Sequence, residues 1–199
     1  MRSPAGLELR SPAGSHHAFH VSELAPGFLI AVPQMYDENF SRSVVLLVEH
    51  SEEGAMGLIF NRPSEISLDD IGRAHGIQTR HGAGSAFMGG PVQRERGFLL
   101  HGRGDVAESI EVVEGVYLSL STESLKELLE GPPGEYRLCL GYAGWGPGQL
   151  EKEVMVGGWL SGTASALRVL ATPPGKVWDA AIRDLGVDPA FVVPSGGPQ

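Results

Sequence analysis

The chain has 199 residues, a length that fits one substantial domain better than two complete cores. Hydrophobic residues make up 42% and charged residues 20%, which excludes a wholly disordered protein. A single cysteine, Cys139, excludes an intramolecular disulfide and a zinc site built on paired cysteines. The formal net charge of -9 disfavours direct binding to nucleic acid phosphates.

The two ends of the chain differ in composition from the middle. Residues 1–22 repeat Arg-Ser-Pro-Ala-Gly and show no apolar periodicity, so we expect a disordered N-terminal tail. Residues 195–199 are expected to form a loose C-terminal tail, which leaves one domain over residues 23–194. The sequence shows neither the apolar core of a secretory signal nor a run of about 20 apolar residues. We therefore expect a cytoplasmic protein that makes no membrane contact.

Short apolar runs that end at glycine, proline or polar loops predict most of the secondary structure as strands. One run late in the chain, residues 166–171, also predicts a strand. The predicted strands cover residues 27–32, 43–49, 56–60, 86–91, 97–101, 109–113, 115–120, 136–142 and 166–171.

Four helices are predicted from capping residues and apolar spacing. Ser67 caps a short helix that ends near Gly76. A firmer helix begins at the cap Ser121, carries three leucines on one face and ends at glycine and two prolines. The third helix covers residues 149–156, after a glycine-rich loop at residues 144–148. The last begins after the cap Thr172 and ends at Gly186.

Strands and helices thus interleave without a strict strand-helix alternation. This order predicts an α+β domain around a mixed or largely antiparallel sheet, with helices flanking it. The 28 glycines and 14 prolines agree with this class, because they imply many turns.

Established catalytic motifs are absent from the sequence: it has no Gly-x-Ser-x-Gly elbow, no phosphate-binding Walker loop and no His-Glu-x-x-His. We therefore assign no catalytic residue, cofactor or metal. His50 and His101 each end a predicted strand, where an imidazole can act as a general base or simply form a structural hydrogen bond. Trp145 can be a binding hot spot or can close the edge of the core. Cys139, between two leucines, is expected to be a buried structural thiol.

Six blocks of sequence, taken in order, resemble the AlgH/YqgE family of bacterial proteins. The resemblance covers residues 24–194 and rests on the joint order of the blocks. They are Gly27 to Ala31 with Pro33, Phe40 to His50, Gly54 to Leu58 with Asn61 and Pro63, Gly89-Gly90-Pro91, Arg96 to Phe98 with His101, and Leu140 to Trp145 followed by Gly148 to Glu151.

This resemblance implies a single compact α+β domain whose barrel-like sheet is closed or strongly curved, in a cytosolic bacterial protein. It also implies an indirect role in transcriptional regulation, without a recognised DNA-binding motif. The chain departs from the family pattern at Arg62, where lysine is common, and in its N-terminal extension. The family's signature positions fall on His50, Asn61, Pro63, Gly89, Gly90, Pro91, His101, Tyr142, Trp145, Gln149 and Glu151.

Three function hypotheses follow. The preferred one is a non-enzymatic binding or regulatory domain that recognises a protein partner or a small ligand. The alternative is an enzyme that uses His50 or His101 with Glu151 as acid and base. Direct DNA binding is the least favoured, because no helix-turn-helix is apparent. The expected binding surface consists of Asn61, Pro63, Gly89, Gly90, Pro91, Tyr142, Trp145, Gln149 and Glu151.

Overall fold

A computed structural model describes residues 24–79, 84–132 and 134–189. The predicted tails, residues 1–22 and 195–199, lie outside these ranges. Ten strands lie in the described residues: β1 Gly27–Ala31, β2 Val44–Ser51, β3 Gly54–Ile59, β4 Pro63–Ser67, β5 Ser85–Met88, β6 Val92–His101, β7 Ile110–Val113, β8 Val116–Ser119, β9 Tyr136–Trp145 and β10 Trp159–Gly162. The helices are α1 Leu68–Ala74, α2 Thr122–Glu130, α3 Gln149–Met155 and α4 Pro174–Asp184, and a π-helical turn spans Leu167–Ala171.

The strands form one sheet in the order β10-β1-β2-β3-β9-β6-β8-β7, and β4 joins it through β5, which also pairs with β9. Every pairing is antiparallel except that of β5 with β9. The sheet curls strongly and carries the helices on its faces. The expected class, a single α+β domain with a largely antiparallel curved sheet, is confirmed.

The long strand β9 changes its side-chain alternation at Gly141, which has a φ of +73°. A side chain there would lie 2.6 Å from the carbonyl oxygen of Gly90 and 2.8 Å from that of Val92, so only glycine fits. The opposite strand β6 bulges between Val92 and Gly97. Leu140 and Ala143, on either side of Gly141, therefore both point outward, and they belong to two different apolar clusters.

Three apolar clusters divide the buried residues. The first lies between the inner face of the sheet and α4, where Trp178 is 2% exposed. The second covers the outer face of β1 to β3 beneath α3, with Trp145 and Trp159. A third lies beneath α1 and α2, where Leu99 and Leu138 supply the sheet residues. The three helical coverings explain why strands such as β1 are buried on both faces.

Two of the four helices in the described residues, α1 and α2, begin with a side-chain cap. The side chain of Ser67 accepts a hydrogen bond from the backbone of Asp69, and Ser121 does the same for Ser124, so both predicted caps are confirmed. Gly148, with a φ of +68°, precedes α3. Gly186, with a φ of +77°, follows α4, as its position in the sequence predicts.

The strand prediction over residues 166–171 is wrong. This segment forms the π-helical turn, and the hydroxyl of Thr172 donates back to the carbonyl of Leu167 instead of capping α4. Pro173 occupies the cap position without a side-chain hydrogen bond. Val169 of this segment packs against the inner face of the sheet. A short run of apolar residues is equally consistent with a buried strand and with a buried helical turn, so the sequence pattern alone does not separate the two.

Arg137, on β9, joins the sheet to the segment that carries α4. Its guanidinium donates to the carbonyls of Phe60 at 2.6 Å, Thr172 at 2.6 Å and Leu170 at 3.3 Å. The residue is 4% exposed, and burial lowers the pKa of Arg137. No carboxylate in the described part of the chain forms an ion pair with it. Backbone carbonyls, together with the rings of Phe60 and Phe87 at 5.7 and 5.1 Å from the guanidinium carbon, therefore stabilise this buried cation.

Candidate functional site

Asn61 performs an internal structural role. Its side-chain oxygen accepts a hydrogen bond from the Val44 backbone at 2.8 Å, and its amide nitrogen donates to the Arg42 carbonyl at 3.0 Å. Asn61 is 8% exposed, so the amide fixes the start of β2 and offers little to a partner. Pro63 and Pro91 from the same expected surface are exposed.

The glycines of the Gly89-Gly90 pair allow two backbone segments to approach each other. A side chain on Gly89 would lie 2.2 Å from the carbonyl oxygen of Gly141, and one on Gly90 would lie 2.0 Å from the carbonyl carbon of Tyr142. The ring of Tyr142 packs edge-on against Phe98 with the centroids 5.9 Å apart. These positions of the expected surface therefore keep the link between β5 and β6 close to the backbone of β9.

Trp145 is 6% exposed and belongs to an aromatic cluster. Its indole N–H and that of Trp159 both donate to Oε2 of Glu153 at 2.9 Å. The two indole rings are perpendicular with their centroids 6.0 Å apart, and Phe40 packs against both. Gln149, which is exposed, donates to the other oxygen of Glu153 at 2.9 Å. Glu153 thus fastens α3 to the outer face of the sheet.

His50 and Glu151 meet. His50 Nε2 lies 3.0 Å from Oε1 of Glu151, and their side chains are 2% and 23% exposed. A hydrogen bond from its own backbone, together with the contact to the His50 imidazole, holds the pKa of Glu151 below its usual range. Nδ1 of His50 is buried without a hydrogen-bond partner in the described residues. The pair joins α3 to the β2–β3 hairpin and leaves almost no imidazole surface for a substrate.

His101 lies in a different part of the fold. It is fully buried, its Nε2 is 2.9 Å from the hydroxyl of Ser119, and its ring stacks on Tyr117. Burial lowers the pKa of His101. His101 pairs with Tyr136 at the start of β9, whereas the β2–β3 hairpin that carries His50 pairs with the end of that strand. The structure therefore brings Glu151 to His50 and not to His101.

A groove between α1 and α2 has a volume of about 390 Å³. Its floor is a face of the sheet formed by Leu99 on β6 and by Leu138 and Leu140 on β9. Its walls include Ile71 of α1 and Leu125 of α2. The lining is mostly apolar, and the volume falls in the usual range of ligand sites.

The rim of this groove, hereafter the α1–α2 groove, combines apolar and charged residues. Ile66 of β4 is 48% exposed and Leu120, just before α2, is 51% exposed. His75, Arg94 and Glu95 supply the polar part of the rim. No sequence motif marks this groove, because its lining comes from separate segments that only the topology brings together.

The comparisons with known proteins agree with one another. A family model described as AlgH-like matches residues 28–190. A UPF0301 protein of Myxococcus xanthus is 46% identical over 179 residues, which cover 89% of this chain and 99% of the relative. A UPF0301 protein of Alcanivorax borkumensis is 42% identical, over 88% of this chain and 96% of the relative. The chain belongs to the AlgH-like family.

Two solved structures resemble this AlgH-like chain. The solution structure of the AlgH protein from Pseudomonas aeruginosa has a TM-score of 0.70 and 34% identity, and the match covers 96% of this chain and 100% of that protein. The crystal structure of protein DIP2367 from Corynebacterium diphtheriae has a TM-score of 0.62 and 26% identity, covering 89% of each chain.

Two further observations on the AlgH-like chain concern membranes and metal ions. In the part of the chain that the structure describes, no helix is long and apolar enough to cross a membrane. Across the same residues, no group of three or more His, Cys, Asp or Glu side chains is arranged to hold a metal ion.

Proposed function

We propose that this AlgH-like chain is a non-enzymatic binding domain that takes apolar groups into the α1–α2 groove. The observation that carries this proposal is the groove itself: an apolar cavity of about 390 Å³ with a polar rim. A contiguous apolar patch with a polar rim is typical of an interaction site, whereas scattered exposed apolar residues are not. A regulatory role in the cytoplasm would then act through the bound partner, because a net charge of -9 opposes direct contact with DNA.

Binding is favoured over catalysis by the positions of the titratable groups. An enzyme needs groups that converge on a space a substrate can enter. The alternative enzyme hypothesis is supported by one contact, that of His50 with Glu151, but the His50 side chain is 2% exposed. His101 is fully buried. Neither of these two imidazoles lines the α1–α2 groove, whose titratable residues His75, Arg94 and Glu95 lie on the rim and not on the apolar floor.

The groove also replaces most of the surface expected from the sequence as the preferred binding site. In that surface Asn61, Gly89, Gly90 and Trp145 are engaged inside the fold. Gln149, although exposed, donates to and accepts from neighbouring groups of its own helix and loop.

Titration with the apolar fluorophore anilinonaphthalene sulfonate tests the proposal. We expect the wild-type chain to bind the dye. Leu120→Asp should bind it about tenfold more weakly, a loss of about 1.4 kcal/mol, because the dye would then cover a charged rim side chain instead of an apolar one. The control is Ile110→Asp on β7, because Ile110 is 68% exposed and lies outside the groove. Equal loss in both variants, or no dye binding by the wild type, would contradict the proposal.

A further inference from the structure

We infer that the natural occupant of the α1–α2 groove is an amphipathic helix of a partner protein, bearing large apolar side chains and charges of both signs. This inference rests on the proposed function and names the class of partner for the same site. Three features of the groove distinguish a helix from a small apolar molecule and from an extended peptide.

The first feature is the exposed apolar surface on the rim of the cavity. Ile66 lies on the wall formed by β4 and α1. Leu120 lies on the opposite wall, between the end of β8 and the start of α2. Their exposed fractions are 48% and 51%. A small molecule on the floor of the cavity would cover these rim side chains only in part, whereas a segment that crosses the groove from wall to wall covers both.

The second feature is the unpaired charge on the rim. Arg94 makes only a long contact with the side-chain oxygen of Asn39, at 3.4 Å. In the described ranges, neither Arg94 nor Glu95 forms an ion pair. An apolar molecule pairs with neither charge. A partner segment with a carboxylate near Arg94 and an ammonium near Glu95 is complementary to both, which favours a polypeptide.

The third feature is the geometry of the floor. An extended peptide gains affinity by pairing its backbone with the free edge of a sheet. The floor of the groove is instead a sheet face, formed by Leu99, Leu138 and Leu140. Its walls are α1, α2 and the five-residue strand β4, which begins with Pro63 and offers few backbone groups for pairing. A helix offers side chains spaced by three and four residues that insert into such a groove while its own backbone hydrogen bonds stay internal.

Selection from a displayed library of random peptides tests the inference on the full chain. Peptides about 16 residues long provide four helical turns. We expect enriched peptides to carry large apolar residues at helical spacing together with an acidic residue. Measured by fluorescence anisotropy, their affinity should fall about tenfold or more in Leu120→Asp and stay within about twofold in the Ile110→Asp control.

A charge exchange provides the second arm of this experiment. Arg94→Glu should weaken a selected acidic peptide, and replacing the acidic residue of that peptide by lysine should restore binding. Peptides that bind Leu120→Asp and wild type equally overturn the inference, and so does the absence of restored binding. If the dye binds the groove but no peptide is enriched, the occupant is a small apolar molecule and the proposed function stands. If neither binds, both proposals fail.

Discussion

Replacing Arg137 by methionine tests whether the buried guanidinium fastens the α4 segment to the sheet. The substitution keeps a long side chain but removes the donors to the carbonyls of Phe60, Leu170 and Thr172. A hydrogen bond to a charged group contributes about 1.5–3 kcal/mol. Two of the three bonds are short, at 2.6 Å, so the gross loss is about 3–6 kcal/mol.

An opposing effect reduces this loss. Methionine avoids the cost of burying a charge, and replacing a buried ion by an apolar residue is often neutral. Here the three acceptors are backbone carbonyls that lose their donor. Because Arg137 is only 4% exposed, water has little access to replace the lost hydrogen bonds. We therefore expect the unsatisfied carbonyls to dominate, with a net loss of about 3 kcal/mol in the free energy of unfolding.

Urea denaturation measures this change, and an unaltered slope identifies it as a stability effect. The matched control is Arg42→Met, because the Arg42 side chain is 54% exposed and its ion pair with Asp179 lies at the surface. That variant should lose less than about 1 kcal/mol. If Arg137→Met is within about 0.5 kcal/mol of wild type, the cost of burying the charge cancels its hydrogen bonds and the reasoning fails.

Three further predictions concern the expected binding residues. Gly90→Ala should cost more than about 3 kcal/mol, because its methyl group would lie 2.0 Å from the backbone of β9, whereas Gly148→Ala, which has open space, should cost about 1 kcal/mol; thermal unfolding compares them. Trp145→Ala should cost about 3–5 kcal/mol because the indole is buried, whereas Gln149→Ala should change stability by less than about 1 kcal/mol; equal losses in chemical denaturation would contradict the packing account. Because the pKa of Glu151 is lowered in the folded state, its stabilising effect is complete above the usual carboxyl pKa of about 4.3 and is lost as the pH falls through the lowered pKa. Glu151→Gln should therefore make the free energy of unfolding less dependent on pH in the acid range, as measured by urea unfolding at a series of pH values. A profile that keeps the wild-type slope would contradict this role.

The elements that the sequence predicts well are those with a local physical signal. The caps Ser67 and Ser121 hold their helices as expected, since a side-chain oxygen next to a free backbone N–H is a local interaction. The buried run of β1 is also found where its apolar residues predict it. The π-helical turn at 167–171 has an apolar content like that of a strand, and its conformation depends on packing against the inner face of the sheet.

The candidate site is harder to predict than these elements, because the sequence does not show which side chains already contact other parts of the fold. Trp145 and Gly90 look like binding residues in a glycine-rich setting, yet their surroundings are indoles and backbone from distant segments. The sequence allows Glu151 to act with either His50 or His101, and it shows neither which histidine Glu151 contacts nor that the His50 ring is buried. The rim residues Ile66 and Leu120 carry no motif, so only the assembled fold shows that they flank one groove.

The free edges of the sheet bear on how the protein behaves at high concentration. Both terminal strands of the main order, β10 and β7, have four residues. The side strand β4 has five and begins with Pro63, which offers no backbone N–H. Edges this short give another copy few backbone groups to pair with, and proline removes one more. We therefore expect this chain, although it is rich in strands, to resist aggregation through its sheet edges.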